Sequence, residues 1–220
     1  MQKVYIAIAF QLCLFSIVKS QGTWDKKHKL QVNFGLTKTL HYNKPINLFG
    51  IFEEAPFPVE QDAGLSKNFG INYYHSINPN NEIEIGTGLS QYSFDESGYY
   101  TPGGGEYLPY NFTVNFEYID LSIGHRYAFL NARKIRPYLE NNLMYELLLK
   151  KNNDYDTNFK IGGVAVKFMA GVMIDISDYF YLDAQTLFKS GVLRYNKNEN
   201  HLDSYIPYGY GAEIAVGIKL

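Results

Sequence analysis

The sequence predicts an all-β protein, an eight-stranded antiparallel up-and-down transmembrane β-barrel preceded by a cleaved signal peptide. Three observations predict it. Apolar residues recur at every second position in a series of separate segments. The connections between those segments alternate long and short. The first twenty residues have the layout of a secretory leader.

That leader starts with the positive Met1-Gln2-Lys3. It continues through an apolar run from Val4 to Val18, broken by Gln11 and Ser16, and ends on Val18-Lys19-Ser20 as the cleavage site. The run is too short and too interrupted for a spanning helix, which needs about 20 apolar residues. The expected organisation is a signal peptide at 1–20 and one barrel domain at 21–220. Cys13, the single cysteine, lies inside the apolar run. More apolar sequence follows it, which argues against an acylated first residue. The mature chain then has no disulfide, no thiol nucleophile and no cysteine zinc site.

Each segment is justified by its alternation, which marks a strand rather than a helix. In the first, Leu30, Val32, Phe34, Leu36 and Leu40 oppose Lys29, Gln31, Asn33 and Thr37. In the second, Leu65, Phe69, Ile71 and Tyr73 oppose Ser66, Asn68, Gly70 and Asn72. In the third, Ile83, Ile85, Thr87 and Leu89 oppose Glu82, Glu84, Gly86, Gly88 and Ser90. The fourth changes phase. Phe112, Val114, Phe116 and Tyr118 are followed by Ile119, Leu121 and Ile123, so a bulge is expected near Tyr118.

The fifth sets Leu139, Leu143, Tyr145 and Leu147 against Glu140, Asn142, Met144 and Glu146. The sixth runs from Val164 to Ile176, with Lys167 and Met169 on the opposite face, and the seventh from Phe180 to Phe188, with Asp183 and Gln185 opposite. The eighth sets Tyr210, Ile214, Val216, Ile218 and Leu220 against Glu213, Gly217 and Lys219.

Long polar connections are expected at 41–62, 95–109, 150–160 and 190–204. Short turns are expected at Asn78–Asn81, Asn131–Arg136 and Ser177–Asp178. Long loops on one side and short turns on the other is the pattern of bacterial outer-membrane barrels, whose short turns face the periplasm. The expected location is the cell outer membrane, with both termini periplasmic. A sheet in hydrocarbon must close, because unpaired edge groups cost several kcal/mol each. The last strand, ending at Leu220 without a tail, must therefore pair with the segment around Leu30–Leu40.

Composition agrees. Tyr and Phe number 20 and 15, the net charge is −2, and basic residues are dispersed, which leaves no nucleic-acid footprint. The main alternative fold is a soluble lipocalin-like barrel, with apolar residues inside. The alternation alone does not say which face is in.

The terminal strand Tyr208–Leu220 resembles the assembly signal of outer-membrane barrels, carried by Tyr210, Ile214, Val216, Ile218 and Leu220. The stretch Tyr118-Ile-Asp-Leu-Ser-Ile-Gly-His-Arg-Tyr127, with Arg136-Pro-Tyr-Leu139, resembles the paired middle strands of the PorT-like domain. Together the chain resembles the PorT-like and OmpA/OmpX-like small outer-membrane barrels of Gram-negative bacteria. The resemblance implies insertion by the outer-membrane assembly machinery and contact with membrane lipid and lipopolysaccharide. It brings no catalytic residues.

Eight strands leave a lumen that side chains fill or that holds one small ligand. The inward glycines make room for large polar partners. Inward charges are expected at Glu84, Asp120, Glu140, Glu146, Asp183 and Glu213, against Lys167, with Arg126 and Lys219 nearer the periplasmic end. Glu146 and Lys167 flank the third long connection at comparable distance, so they are expected at similar height on neighbouring strands, as a structural ion pair in the lumen. Paired carboxylates also suit a glycosidase, but no substrate cleft accompanies them. A lipid-modifying barrel enzyme needs a nucleophile and a base within reach, and none of the histidines His28, His41, His75, His125 and His201 sits in such a constellation. His75 and His125 are expected to snorkel at the periplasmic rim. Gly103-Gly104-Gly105 lacks the Lys-Ser/Thr of a phosphate loop. The expectation is therefore a non-enzymatic barrel without cofactor or metal. Tyr99, Tyr100, Tyr107, Tyr110, Tyr205, Tyr208 and Tyr210 divide between a membrane-interface girdle and a recognition surface. The functional expectation is a structural or surface-interaction role through loops 41–62 and 95–109. The alternative is an accessory barrel for transport or protein secretion.

Overall fold

A computed structural model describes residues 27–45, 60–100, 108–129, 134–152, 162–194 and 203–220. The expected signal peptide and the middles of the four long connections lie outside these residues. The strands are β1 (His28–Pro45), β2 (Glu60–Asn78), β3 (Asn81–Tyr100), β4 (Leu108–Ala128), β5 (Ile135–Asn152), β6 (Gly162–Asp175), β7 (Phe180–Arg194) and β8 (Asp203–Lys219). Each pairs antiparallel with its sequence neighbour, and β8 pairs with β1 from Lys29↔Lys219 to Pro45↔Asp203, closing the barrel. Closure satisfies the backbone groups that an open edge would leave bare.

Two of the short turns form for local reasons; residues 131–133 of the third, expected at 131–136, lie outside the described residues. Asn78 Oδ1 accepts the N–H groups of Asn80 at 2.9 Å and Asn81 at 3.0 Å, a side-chain mimic of a backbone turn. Ser177 Oγ does the same for Tyr179 at 3.2 Å and Phe180 at 3.0 Å.

The two faces are now assigned. Val32, Phe34, Ile71, Ile85, Leu89, Leu121, Ile123, Leu143, Leu182, Ile214 and Val216 are exposed on the outside. Gln31, Asn33, Glu84, Asp120, Arg126, Glu140, Glu146, Lys167, Asp183, Lys189 and Glu213 are buried inside. This is the reverse of a water-soluble barrel, so the lipocalin-like alternative falls. Aromatic residues flank the apolar band: Tyr73, Phe129, Tyr179 and Phe180 lie toward the short-turn end, and Tyr145, Phe188 and Tyr210 toward the other. Two such girdles mark the interfaces of a membrane-spanning barrel.

The phase change in β4 has a different cause from the one expected. The β3–β4 register runs unbroken from Asn81↔Tyr127 to Tyr100↔Leu108. The irregularity at this level is in β5, where Glu117 faces Lys150 and Tyr118 faces Leu148, so the extra residue is Leu149. Phe116 and Tyr118 point inward like Asp120 and join Tyr92 and Phe94 in a buried aromatic layer, with Leu148 packed against it. At the same level the outward residues of the hairpin become polar, in the pairs Gln91↔Glu117, Ser93↔Asn115 and Asp95↔Thr113. Below Leu89↔Ile119 this hairpin is apolar outside and polar inside; above it the arrangement inverts. The side chains keep their faces, and what changes is which face is apolar.

The same point corrects the long connections. The second of them, expected at 95–109, shrinks to the segment between Tyr100 and Leu108, because β3 and β4 continue pairing to those residues. Strand β1 likewise continues to Pro45, opposite Asp203 of β8. Alternation requires two faces of different polarity, whereas backbone pairing does not, so strands outrun their sequence pattern.

Candidate functional site

The lumen is the described region where polar chemistry concentrates. It is filled in tiers, each placed by the inward face of its strands.

At the short-turn rim, Asp175 of β6 is held at 2.7 Å by both Arg136 of β5 and Lys219 of β8. Just inside, Lys29 of β1 pairs with Glu82 of β3, which also accepts from Ser76 Oγ at 3.2 Å. The next tier centres on Arg126 of β4, which has no exposure. Its Nε donates to Glu140 at 2.6 Å, its Nη2 donates to Tyr74 Oη at 2.8 Å, and its Nη1 lies 3.2 Å from Asp183. The Tyr74 and Tyr138 rings sandwich the guanidinium, with centroids 4.1 Å and 4.0 Å from Cζ. A desolvated cation between two ring faces gains more than an exposed one. The Tyr138 hydroxyl lies 2.6 Å from both Asp183 and Gln185. Glycines leave space for these rings: a Cβ on Gly171 would fall 2.5 Å from the Tyr138 ring, and one on Gly217 2.0 Å from that of Tyr181.

Above this tier, Lys167 Nζ of β6 donates to both oxygens of Glu213 at 2.9 Å. Gln185 at 2.7 Å and Asn33 at 3.3 Å complete the Glu213 shell. Higher still, Lys189 of β7 lies 2.7 Å from Glu146 and 3.2 Å from Asp120, and Tyr92 donates to Glu146 at 2.7 Å. The aromatic layer of Tyr92, Phe94, Phe116 and Tyr118 covers this tier. Between the tiers remains a cavity of about 40 Å³, lined in part by Asn33, Asn72, Asn142, Lys167 and Lys189.

The expected ion pair between Glu146 and Lys167 is not formed. Glu146 stands opposite Gly163 in the β5–β6 register, and Lys167 stands opposite Asn142, four residues farther along the barrel. Each takes a partner from across the lumen instead. Arg126, expected inward near the periplasmic end, is the cation of its tier. Sequence reasoning missed Lys189 and Lys29 in this role; alternation puts both on the polar face, and that was the available signal. Of the remaining inward acids, Glu84, Asp120, Glu140, Asp183 and Glu213 are all buried in the lumen.

His125 does not snorkel. It is buried, with Nε2 2.9 Å from Asn81 Oδ1. His75 is exposed, its ring tilted against that of His28 with centroids 5.0 Å apart. Of the tyrosine cluster, Tyr210 faces outward opposite Phe188, and Tyr208 is half-buried. Tyr107 and the side chains of Tyr99, Tyr100, Tyr110 and Tyr205 lie outside what is described. In the terminal strand Tyr210, Ile214, Val216 and Leu220 are exposed on the outer wall, with Ile218 half-buried. Among the described residues, no group of three or more His, Cys, Asp or Glu side chains is arranged to hold a metal ion.

No protein-family model matches the sequence, and no curated protein matches it. Solved structures do match. Neisserial surface protein A superposes with a TM-score of 0.54 at 14% identity, over 88% of this chain and 97% of that one. The outer membrane protein OprG from Pseudomonas aeruginosa superposes with a TM-score of 0.60 at 9% identity, over 92% of this chain and 99% of that one. At such identities the likeness is one of fold. The chain is an eight-stranded antiparallel closed β-barrel of the kind these small outer-membrane proteins share.

Proposed function

We propose that this protein is an outer-membrane barrel with a structural or surface-interaction role, whose lumen is closed by its own side chains and whose specific activity resides in the connections at the long-loop end. The observation that carries the reading is the filled interior. Among the described residues, stacked ion pairs fill the lumen under an aromatic layer, with a cavity of about 40 Å³ between them. In such folds the segments that vary and recognise are the loops, held up by a rigid scaffold. The connections within 41–62 and 95–109 are the candidates for contact with an extracellular partner. Neisserial surface protein A, which shares the fold, is by name a surface protein, and this supports the reading. In this reading the short turns and both termini face the periplasm, lipid and lipopolysaccharide surround the outer wall, and Tyr210, Ile214, Val216, Ile218 and Leu220 serve the assembly machinery. No catalytic or cofactor-binding role is assigned to the barrel.

Reconstitution in planar bilayers tests the closed lumen. The expected result is no sustained conductance; steady ohmic channels would overturn it. Replacing residues 46–59 or 101–107 by short polar linkers should abolish surface binding and leave the barrel's heat-modifiable mobility intact.

A second reading, an accessory barrel for transport or secretion of the PorT-like kind, has one supporting observation. The two stretches that carry that resemblance are direct neighbours, with Tyr127 opposite Leu139 and Ala128 opposite Tyr138. If it holds, deletion of the chain stops export of a cargo protein, and loop replacement alone does not.

A further inference from the structure

The buried charges of the described lumen do not balance. Glu82, Glu140, Asp183, Glu213, Asp120 and Glu146 each lie within 4 Å of a lysine or arginine nitrogen. Glu84 is the exception among the described residues. It is fully buried, its Oε1 accepts from Ser122 Oγ at 2.9 Å, and its Oε2 has no hydrogen-bond partner. Lys167, the cation of the tier above, is taken by both oxygens of Glu213.

Two neutral oxygens stand near Glu84 Oε1. Gly86, next on the same inward face, has a bare Cα over which three oxygens converge. A Cβ there would fall 2.3 Å from Glu84 Oε1, 2.4 Å from Asn72 Oδ1 and 2.6 Å from Ser122 Oγ. The Asn72 amide nitrogen donates to Tyr74 Oη at 3.3 Å, which leaves its oxygen toward Gly86. A second glycine, Gly124, stands directly opposite Glu84 on one side and Asn142 on the other. Asn142 lies across it, with Oδ1 1.9 Å from where a Gly124 Cβ would be, and this oxygen too is buried without a partner. Asn72, Ser122 and Asn142 line the 40 Å³ cavity together with the ion-paired Lys167 and Lys189, whereas Glu84, Gly86 and Gly124 stand behind its lining. An occupant the size of a water molecule needs about 10–15 Å³ of such space.

A buried carboxylate without a counter-charge is costly and is relieved by a partner or by neutralisation. An all-oxygen donor set suits a hard cation. One carboxylate among neutral amide and hydroxyl oxygens compensates a single positive charge. We propose that Glu84, Asn72, Ser122 and Asn142 form a binding site for a hard monovalent cation of sodium's size, seated in the lumen where the cavity-lining Asn72, Ser122 and Asn142 approach Glu84. The ion supplies the counter-charge that no side chain gives Glu84.

The test uses the full chain folded in zwitterionic detergent at pH 8. Melting is followed in sodium chloride and in choline chloride at equal ionic strength. Sodium should raise the unfolding temperature saturably, by roughly 2–4 °C. Glu84→Gln, similar in shape and uncharged, should abolish that rise. Equal melting in the two salts would overturn the proposal, since Glu84 would then be neutralised by a proton. A rise that survives in Glu84→Gln would place the ion elsewhere, and a response to calcium chloride alone would exclude a monovalent site. Sodium-23 NMR of the wild-type barrel reads binding without any variant. Line broadening beyond that of a matched empty micelle is expected, and its absence overturns the site.

Discussion

Lys189 of β7 reaches across the lumen to Glu146 of β5, with 2.7 Å between Nζ and Oε1, although β6 lies between their strands. The same lysine holds Asp120 of β4 at 3.2 Å. One cation thus serves two buried acids from two other strands. Lys189→Met should destabilise the barrel by about 3–5 kcal/mol, the usual cost of orphaning a buried charge. Urea unfolding in detergent or lipid vesicles measures it, and a change within the experimental error would show that the acids do not depend on Lys189.

The partner assignment has its own test. A double-mutant cycle between Glu146→Gln and Lys189→Met should give a coupling of about 0.5–3 kcal/mol. The cycle between Glu146→Gln and Lys167→Met should be additive to about 0.5 kcal/mol. Strong coupling in the second cycle would restore the pairing expected from the sequence.

The inversion of the barrel wall predicts a steep positional contrast on one face of one strand. Leu121 faces outward within the apolar band, and Asn115 faces outward six residues earlier on the same strand. Leu121→Lys should cost about 2–4 kcal/mol, as a cation in hydrocarbon does. Asn115→Lys should stay within about 0.5 kcal/mol. Comparable losses at both positions would mean that lipid reaches the upper hairpin.

The aromatic layer should stabilise the projecting hairpin locally. Phe94 and Phe116 are buried there beside Tyr92 and Tyr118. Phe116→Ala opens a cavity, with a cost of about 3–5 kcal/mol expected for a large aromatic. Hydrogen exchange should accelerate in the upper halves of β3 and β4 and stay unchanged around Ile85 and Ile123. Uniform acceleration along both strands would contradict a separate upper layer.

Close glycine contacts give a fourth kind of prediction. A Cβ at Gly217 would fall 2.0 Å from the Tyr181 ring, whose hydroxyl donates to Gln31 at 3.1 Å. Gly217→Ala should cost about 1–3 kcal/mol by overpacking. Adding it to Tyr181→Ala should cost little more, because the ring it strikes is gone. Full additivity of the two would refute the clash.

The fold was largely legible because lipid imposes a rule at single-residue resolution. In Val32, Phe34 and Leu36, or in Ile214, Val216 and Ile218, every second side chain meets hydrocarbon, and the period of two follows directly. Ends were less legible. Above Leu89 and Ile119 the outward pairs of the β3–β4 hairpin are polar, and the strands continue on backbone pairing that leaves no sequence mark. The phase change from Tyr118 to Ile119 was a true signal with the wrong cause assigned. It records where the apolar side of the hairpin passes from the outer face to the inner one, and the side chains themselves never change face.

The sequence by itself determined the number of strands, the closed antiparallel order and the set of residues that share the inner face, since these depend on local period and connection length. It did not determine who meets whom inside. Glu146 with Lys189, Lys167 with Glu213, Arg126 between Tyr74 and Tyr138, and Glu84 with no cation among the described residues were decided only by the tertiary structure. The reason is geometric. Contacts across a lumen depend on the stagger accumulated around all eight strands, and a shift of a few residues in one register gives every inward charge a different neighbour.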